Sequence, residues 1–176
     1  MSMRLLTIGA SSSRKSINRA FAIWAGQQFD ADLDDVDLND FEMPIYSEDR
    51  QLESGIPSLA HDFKSKIKAC DGIIVSFAEH NGSYTAAYKN IFDWASRIDS
   101  KVFQSKPMVF LSTSPGARGG ASVLALATNS ASHFAGDVKA SLAIPSFYDN
   151  FDVEKHCLCN ADLLQKLSAA LAHLQD

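Results

Sequence analysis

Short apolar runs alternate along the chain with stretches whose apolar residues fall at helical spacing. This alternation restricts the fold more than any other feature. MRLLTIG (3–9), DGIIVSFA (71–78) and KPMVFLSTS (106–114) are near-continuous apolar runs bounded by turn residues, the pattern of buried strands. LDDVDL (33–38) alternates apolar and acidic residues, as expected near a sheet edge, and DVKASLAIP (137–145) supplies a fifth strand. Between them, SINRAFAIWAGQQF (16–29) places Ile17, Ala20, Phe21 and Trp24 on one helical face. Leu59, Phe63 and Ile67 recur at four-residue spacing behind Pro57, predicting a helix over 57–69. Further helices are predicted over 84–98, 119–134 and 161–174. Residues 39–55, broken by Pro44 and Gly55, read as irregular.

Strands buried on both sides and alternating with helices require a parallel sheet covered on both faces. Five strands and about five helices in 176 residues fit one doubly wound domain over 1–176. The arrangement is flavodoxin-like: a three-layer α/β/α sandwich with a five-stranded parallel sheet in the order 2-1-3-4-5. Such sheets bind ligands beyond the carboxyl ends of their strands, where the strand order reverses. That directs attention to three loops: GASSSRKSIN (9–18), AEHNGSY (78–84) and SPGARGG (114–120).

Composition removes some partners. A net charge of −5 gives no basic face for nucleic acid. No apolar window has the length of a membrane span, and the N-terminal apolar run is too short for a signal peptide. Cys70, Cys157 and Cys159 are odd in number and form no disulfide framework, so a reducing cytoplasm is expected. HCLC (156–159) lacks a second ligand pair for a metal and reads as a partly buried turn before the last helix; no metal site is expected. Asn81-Gly82-Ser83 matches a glycosylation sequon, which carries nothing without a secretory signal.

The first loop offers the hydroxyls of Ser11, Ser12, Ser13 and Ser16 and the amide of Asn18 at the start of a helix. With the free N–H groups and positive dipole end of that helix, they form an anion cradle suited to phosphate. Ser-rich N-capping alone is the simpler reading. Residues 9–16 also stand one substitution from the P-loop pattern, with Arg14 in place of its second glycine. No apolar strand ends in Asp to hold magnesium; the nearest candidate ends in Ala78-Glu79. In the third loop, Gly119-Gly120 opens a helix, where glycine is costly, and close approach of backbone to a planar ligand would explain it.

Taken together, the chain resembles the NADPH-dependent FMN reductase family. The family's G-S-x-R-x-x-S-x-N phosphate loop, P-E-Y-N-G-S loop, K-N-x-x-D-W helix and S-P-G-x-x-G-G turn appear here as A-S-S-S-R-K-S-I-N, A-E-H-N-G-S-Y, K-N-I-F-D-W and S-P-G-A-R-G-G, in the family's order across residues 3 to about 140. The resemblance implies that Ser11, Ser16 and Asn18 bind the FMN phosphate, with Ser13 in the usual Arg position and Arg14 beside it as the substitute. It implies that Ala78, Glu79, His80, Asn81 and Gly82 line the isoalloxazine, and that Ser114, Gly116, Gly119 and Gly120 close the other side. Ala78 and His80 stand where the family has Pro and Tyr.

The implied activity is ping-pong hydride transfer from NADPH or NADH through FMN to free flavin, a quinone or a similar small electron acceptor. No catalytic residue is assigned. His80 stands either as a proton donor, titrating near neutrality, or as a stacking and hydrogen-bonding partner. A non-enzymatic FMN electron carrier and a P-loop-like phosphotransferase are the alternatives. A homodimer or homotetramer is implied, which an exposed apolar stripe on helix 84–98 would serve.

Overall fold

A computed structural model describes residues 2–174. Five parallel strands, β1 (Met3–Ala10), β2 (Ala31–Val36), β3 (Gly72–Phe77), β4 (Pro107–Thr113) and β5 (Asp137–Ile144), form one sheet in the order β2-β1-β3-β4-β5. The expected topology is therefore present, and the order reverses between β1 and β3.

Period-two alternation divides the strand side chains between two cores. Leu6, Ile8, Ile73, Val75, Phe77, Met108 and Phe110 meet α3 (Ser58–Ala69), α4 (Ala86–Ile98) and α5 (Ala121–Ala131) on one face. Leu5, Ile74, Val109 and Leu111 meet α1 (Ile17–Gly26) and α7 (Ala161–Ala172) on the other. Every residue of β3 is buried, whereas β5 alternates exposed and half-buried residues along most of its length, as befits an edge.

Several boundaries differ from expectation. β2 runs two residues earlier than 33–38, because Asp37 leaves the sheet to accept a hydrogen bond from Asn39 N at 2.9 Å and start a 3-10 turn over Leu38–Phe41. The stretch read as irregular holds a short helix, α2 (Glu48–Ser54), capped by Ser47 with Glu48 and Asp49 at its positive end. With no buried residue it leaves no periodic apolar signal. After β5 come a single turn, α6 (Phe147–Asn150), and a hairpin of β6 (Phe151–Asp152) with β7 (Cys157–Leu158). Cys157 and Leu158 of HCLC thus belong to a strand pair, while His156 lies in the turn that the sequence suggested.

The expected exposed apolar stripe on helix 84–98 is not there. Tyr88, Ile91, Trp94 and Ala95 are buried, and the outward face carries Lys89 paired with Asp93, and Arg97. Among the described residues no helix is long and apolar enough to cross a membrane.

Candidate functional site

The first loop leaves β1 through a tight bend. Ser11 N donates to Gly9 O at 2.7 Å, and Ser11 Oγ accepts from Ser13 N at 3.1 Å. Ser16 caps α1, its Oγ accepting from Arg19 N at 3.1 Å, and its hydroxyl hydrogen remains available to donate. The helix lies close against the end of β1: a Cβ on Gly9 would sit 2.2 Å from Arg19 Cα. Arg19 locks this packing by donating to Asp35 from Nε and Nη2 (3.0 and 2.6 Å) and to Asp37 from Nη1 (2.7 Å). The hydrogen bond to Asp35 leads in raising the Arg19 pKa further. The positive end of α1 is thereby held rigidly at the carboxyl edge of the sheet.

Asn18 is 3% exposed, and its amide is engaged within the protein. Nδ2 donates to Thr113 O at 3.0 Å, while Oδ1 accepts from Thr113 N at 3.0 Å and from Ser76 Oγ at 2.7 Å. It ties the ends of β3 and β4 to α1, so its side chain acts as a clamp between loops, with the second Nδ2 hydrogen uncommitted. Thr85, the N-cap of α4, does the same for the second loop, donating from Oγ1 to Ala10 O at 2.9 Å.

The loop after β3 is a two-residue hairpin turn. His80 and Ser83 exchange both backbone hydrogen bonds (3.0 and 3.1 Å), and Asn81 and Gly82 both have positive φ, 52° and 77°. This is the type I′ geometry that Asn-Gly favours. Glu79 turns away from this tip: Oε2 accepts from Val123 N at 3.0 Å and Oε1 from Arg118 Nη2 at 3.4 Å. The helix α5 begins at Gly120, which has no side chain to cap it, so Glu79 supplies the missing acceptor and a negative charge at its positive end.

Close approach does explain the glycine pair after β4, but the approach is to the protein's own atoms, the backbone of Ile144 for Gly119 and the Ser112 side chain for Gly120. A Cβ on Gly119 (φ 58°) would lie 2.6 Å from Ile144 O, and one on Gly120 (φ 77°) would lie 3.1 Å from Ser112 Cβ. Both residues are buried. Ser112 Oγ donates to Gly119 O at 2.7 Å, and the same loop is stitched to the end of β5 by Ser146 N to Gly116 O and Phe147 N to Ser114 O, both 3.0 Å.

The three loops converge on one open concavity of about 250 Å³ at the carboxyl edge of the sheet. Ser11, Ser13, Ser16 and Asn18 line it from the first loop, Ala78, Glu79 and His80 from the second, and Ser114 from the third. Arg14 lines a neighbouring groove beside α1 instead. Asn81, Gly82, Gly116, Gly119 and Gly120 do not line it: they set the shape of the loops that do. Lys15, Thr113 and Tyr148 also line the concavity and were missed from the sequence. Lys15 sits inside the motif already singled out, and Tyr148 follows β5, another strand that ends on this edge.

Comparison with known families places the chain. A family model described as NADPH-dependent FMN reductase matches residues 3–149. The chain belongs to the NADPH-dependent FMN reductase family. It is 34% identical over 122 residues to a 2-hydroxy-1,4-benzoquinone reductase from Burkholderia, covering 68% of this chain and 64% of that protein. It is 32% identical over 80 residues to a quinone reductase of Escherichia coli K12, covering 46% and 43%. The matched stretch therefore spans roughly half the length of these relatives. In fold, it is similar to FerB, a flavoenzyme NAD(P)H:(acceptor) oxidoreductase from Paracoccus denitrificans, at a TM-score of 0.75 with 20% identity over 99% of this chain and 96% of that one. It is also similar to an NAD(P)H:quinone oxidoreductase from Methanothermobacter marburgensis, at 0.69 with 16% identity over 100% and 98%.

Because the family match takes in all of residues 9–16, the P-loop phosphotransferase reading is set aside. The donor set fits a flavin mononucleotide. Ser11, Ser13, Ser16, Lys15 and the capped start of α1 contribute hydroxyl, ammonium and N–H donors to the lining of the concavity, a set that suits a phosphate. Ala78, His80 and Pro115, from the other two loops, add small or flat groups suited to a ring. Among the described residues no group of three or more His, Cys, Asp or Glu is placed to hold a metal.

Proposed function

We propose that the protein is an FMN-dependent NAD(P)H oxidoreductase that reduces quinones, free flavin or similar small acceptors in two alternating half-reactions. The observation that carries this is the convergence, on one concavity at the strand-order reversal, of a serine-rich helix start and the β3 and β4 loops. FMN, when bound, supplies the acceptance of hydride and its onward transfer. Ser11, Ser13, Ser16 and Lys15 would hold its phosphate, the serines by hydrogen bonds and Lys15 by charge. Ala78 and His80 would border its ring. Asn18, Glu79, Gly119 and Gly120 shape the site from behind by fixing the three loops. The concavity is open, which leaves room for donor and acceptor to use it in turn.

His80 is exposed and lines the concavity, where it would stack on or hydrogen-bond a bound ring. We place the protein in the cytoplasm, on its three free cysteines. We read it as a homodimer or homotetramer, with Ile45 (75% exposed) and Leu52 (80% exposed), after β2, as the apolar surface that such contacts would cover.

The test is anaerobic. The purified protein saturated with FMN is titrated with NADPH and with NADH, then offered a panel of quinones and free flavins. Bleaching of the flavin bands by a nicotinamide, with recovery on adding an acceptor, is expected. Failure to take up FMN refutes the reading, and uptake without bleaching by either nicotinamide makes the protein an electron carrier. Sedimentation of the wild type and of Leu52→Glu checks the assembly.

A further inference from the structure

A second cavity lies away from the flavin concavity and shares no lining residue with it. It measures about 220 Å³ and sits between α4 and α5, over the ends of β3 and β4. Aromatic rings dominate its lining, which also includes the Lys89–Asp93 ion pair and Ser96. Phe77 packs edge-on against Phe110 at 5.0 Å, and Phe92 meets Phe134 edge-on at 4.7 Å. Among the hydroxyl-bearing residues of the lining, Tyr84 Oη and Ser130 Oγ lie 3.3 Å apart. Leu126, 41% exposed, stands at the mouth.

Cavity size and wall chemistry limit the occupant. An apolar protein cavity of about 150 Å³ stays dry and takes up benzene, so this larger one admits a single six-membered ring with a small substituent. Ring edges on several sides favour an aromatic guest, which packs edge-to-face against them. The Tyr84–Ser130 hydrogen bond is long, and burial holds the Tyr84 phenol above its ordinary pKa and therefore protonated. One hydroxyl or carbonyl on a neutral guest would have a partner there, since Lys89 and Asp93 in the lining neutralise each other. We propose that this cavity is a binding site for a monocyclic aromatic of the phenol class, separate from the flavin site.

This inference does not depend on the proposed activity, because the two sites share no residue. The probes are phenol and toluene, titrated into the FMN-saturated protein by calorimetry and by ligand-observed NMR. Saturable one-to-one binding of both is expected, undiminished by excess FMN. Ser130→Ala is expected to weaken phenol roughly 2- to 10-fold and leave toluene unchanged, the loss of one hydrogen bond. Ala127→Phe, which puts a ring into the cavity, is expected to weaken both by at least about tenfold. Leu126→Trp at the exposed mouth serves the same purpose where Ala127→Phe does not fold.

Absence of saturable binding to the wild type overturns the proposal. So does binding that survives both filling variants, or probes displaced by FMN. If a second copy of the chain covers the cavity, neither probe binds and Leu126→Arg shifts sedimentation to the monomer, which also overturns it.

Discussion

Asn18→Ala is the most informative perturbation of the flavin site. Removing the amide leaves Thr113 N–H and C=O without their partners and frees the Ser76 hydroxyl, all at the junction of β3, β4 and α1. A buried polar group left unsatisfied costs about 1–3 kcal/mol. The serine hydroxyl can rotate to another acceptor, and water can reach the site from the adjoining concavity, so the loss is about 2–4 kcal/mol rather than the full sum. For a chain of this length, each kcal/mol lowers Tm by about 2–4 °C. Urea unfolding of the FMN-free protein, followed by far-ultraviolet circular dichroism, measures the loss directly. FMN affinity is expected to fall as well, because the loops lose their register. Asn18→Asp keeps the shape but replaces a donor with a carboxylate facing Thr113 O, and is expected to be no better than Ala. If Asn18→Ala weakens FMN while stability changes by less than about 0.5 kcal/mol, within the range of ordinary surface substitutions, the clamp is refuted and the amide is a direct ligand.

Other consequences are open to measurement. Glu79→Ala removes the acceptor for Val123 N–H and is expected to cost about 1 kcal/mol in urea unfolding, with Glu79→Gln costing less because an acceptor remains. Gly119→Ala is expected to cost about 3 kcal/mol or more, since it combines positive φ with a clash against Ile144 O, whereas Gly82→Ala, with positive φ in open space, costs about 1–2 kcal/mol. Lys15→Ala combined with Ser16→Ala is expected to weaken FMN and flatten the salt dependence of its binding; unchanged affinity would refute the phosphate assignment. Burial pushes the Cys70 thiol from 9.0 up to about 11, so at pH 8 a thiol reagent should modify exposed Cys159 promptly and Cys70 only on unfolding. The same shift makes Cys70 a source of stability that is complete below pH 9 and falls between pH 9 and about 11, as the unfolded chain loses its proton first. Comparing urea unfolding of the wild type and Cys70→Ala across that range checks the sign.

The sequence by itself determined the layer architecture and the three loops at the carboxyl edge. Each depends on a local signal: unbroken apolar runs for β3 and β4, four-residue spacing for α3, and Gly and Ser clusters where strands end. What a polar residue in those loops does was decided by tertiary structure alone. Asn18, Glu79 and the Gly119-Gly120 pair all belong to the loop motifs, yet their partners lie at Thr113, Val123 and Ile144. Spacing along the chain carries no information on which backbone groups will be left unpaired at the ends of neighbouring strands. The same limit hid Tyr148, which lies on the concavity only because β5 ends beside β4. It also hid the aromatic cavity, whose rings come from β3, β4, α4 and the segments holding Tyr84, Phe103 and Phe134, and read individually as ordinary core. A sequence shows which side chains must leave water; only packing shows where they fail to fill the space.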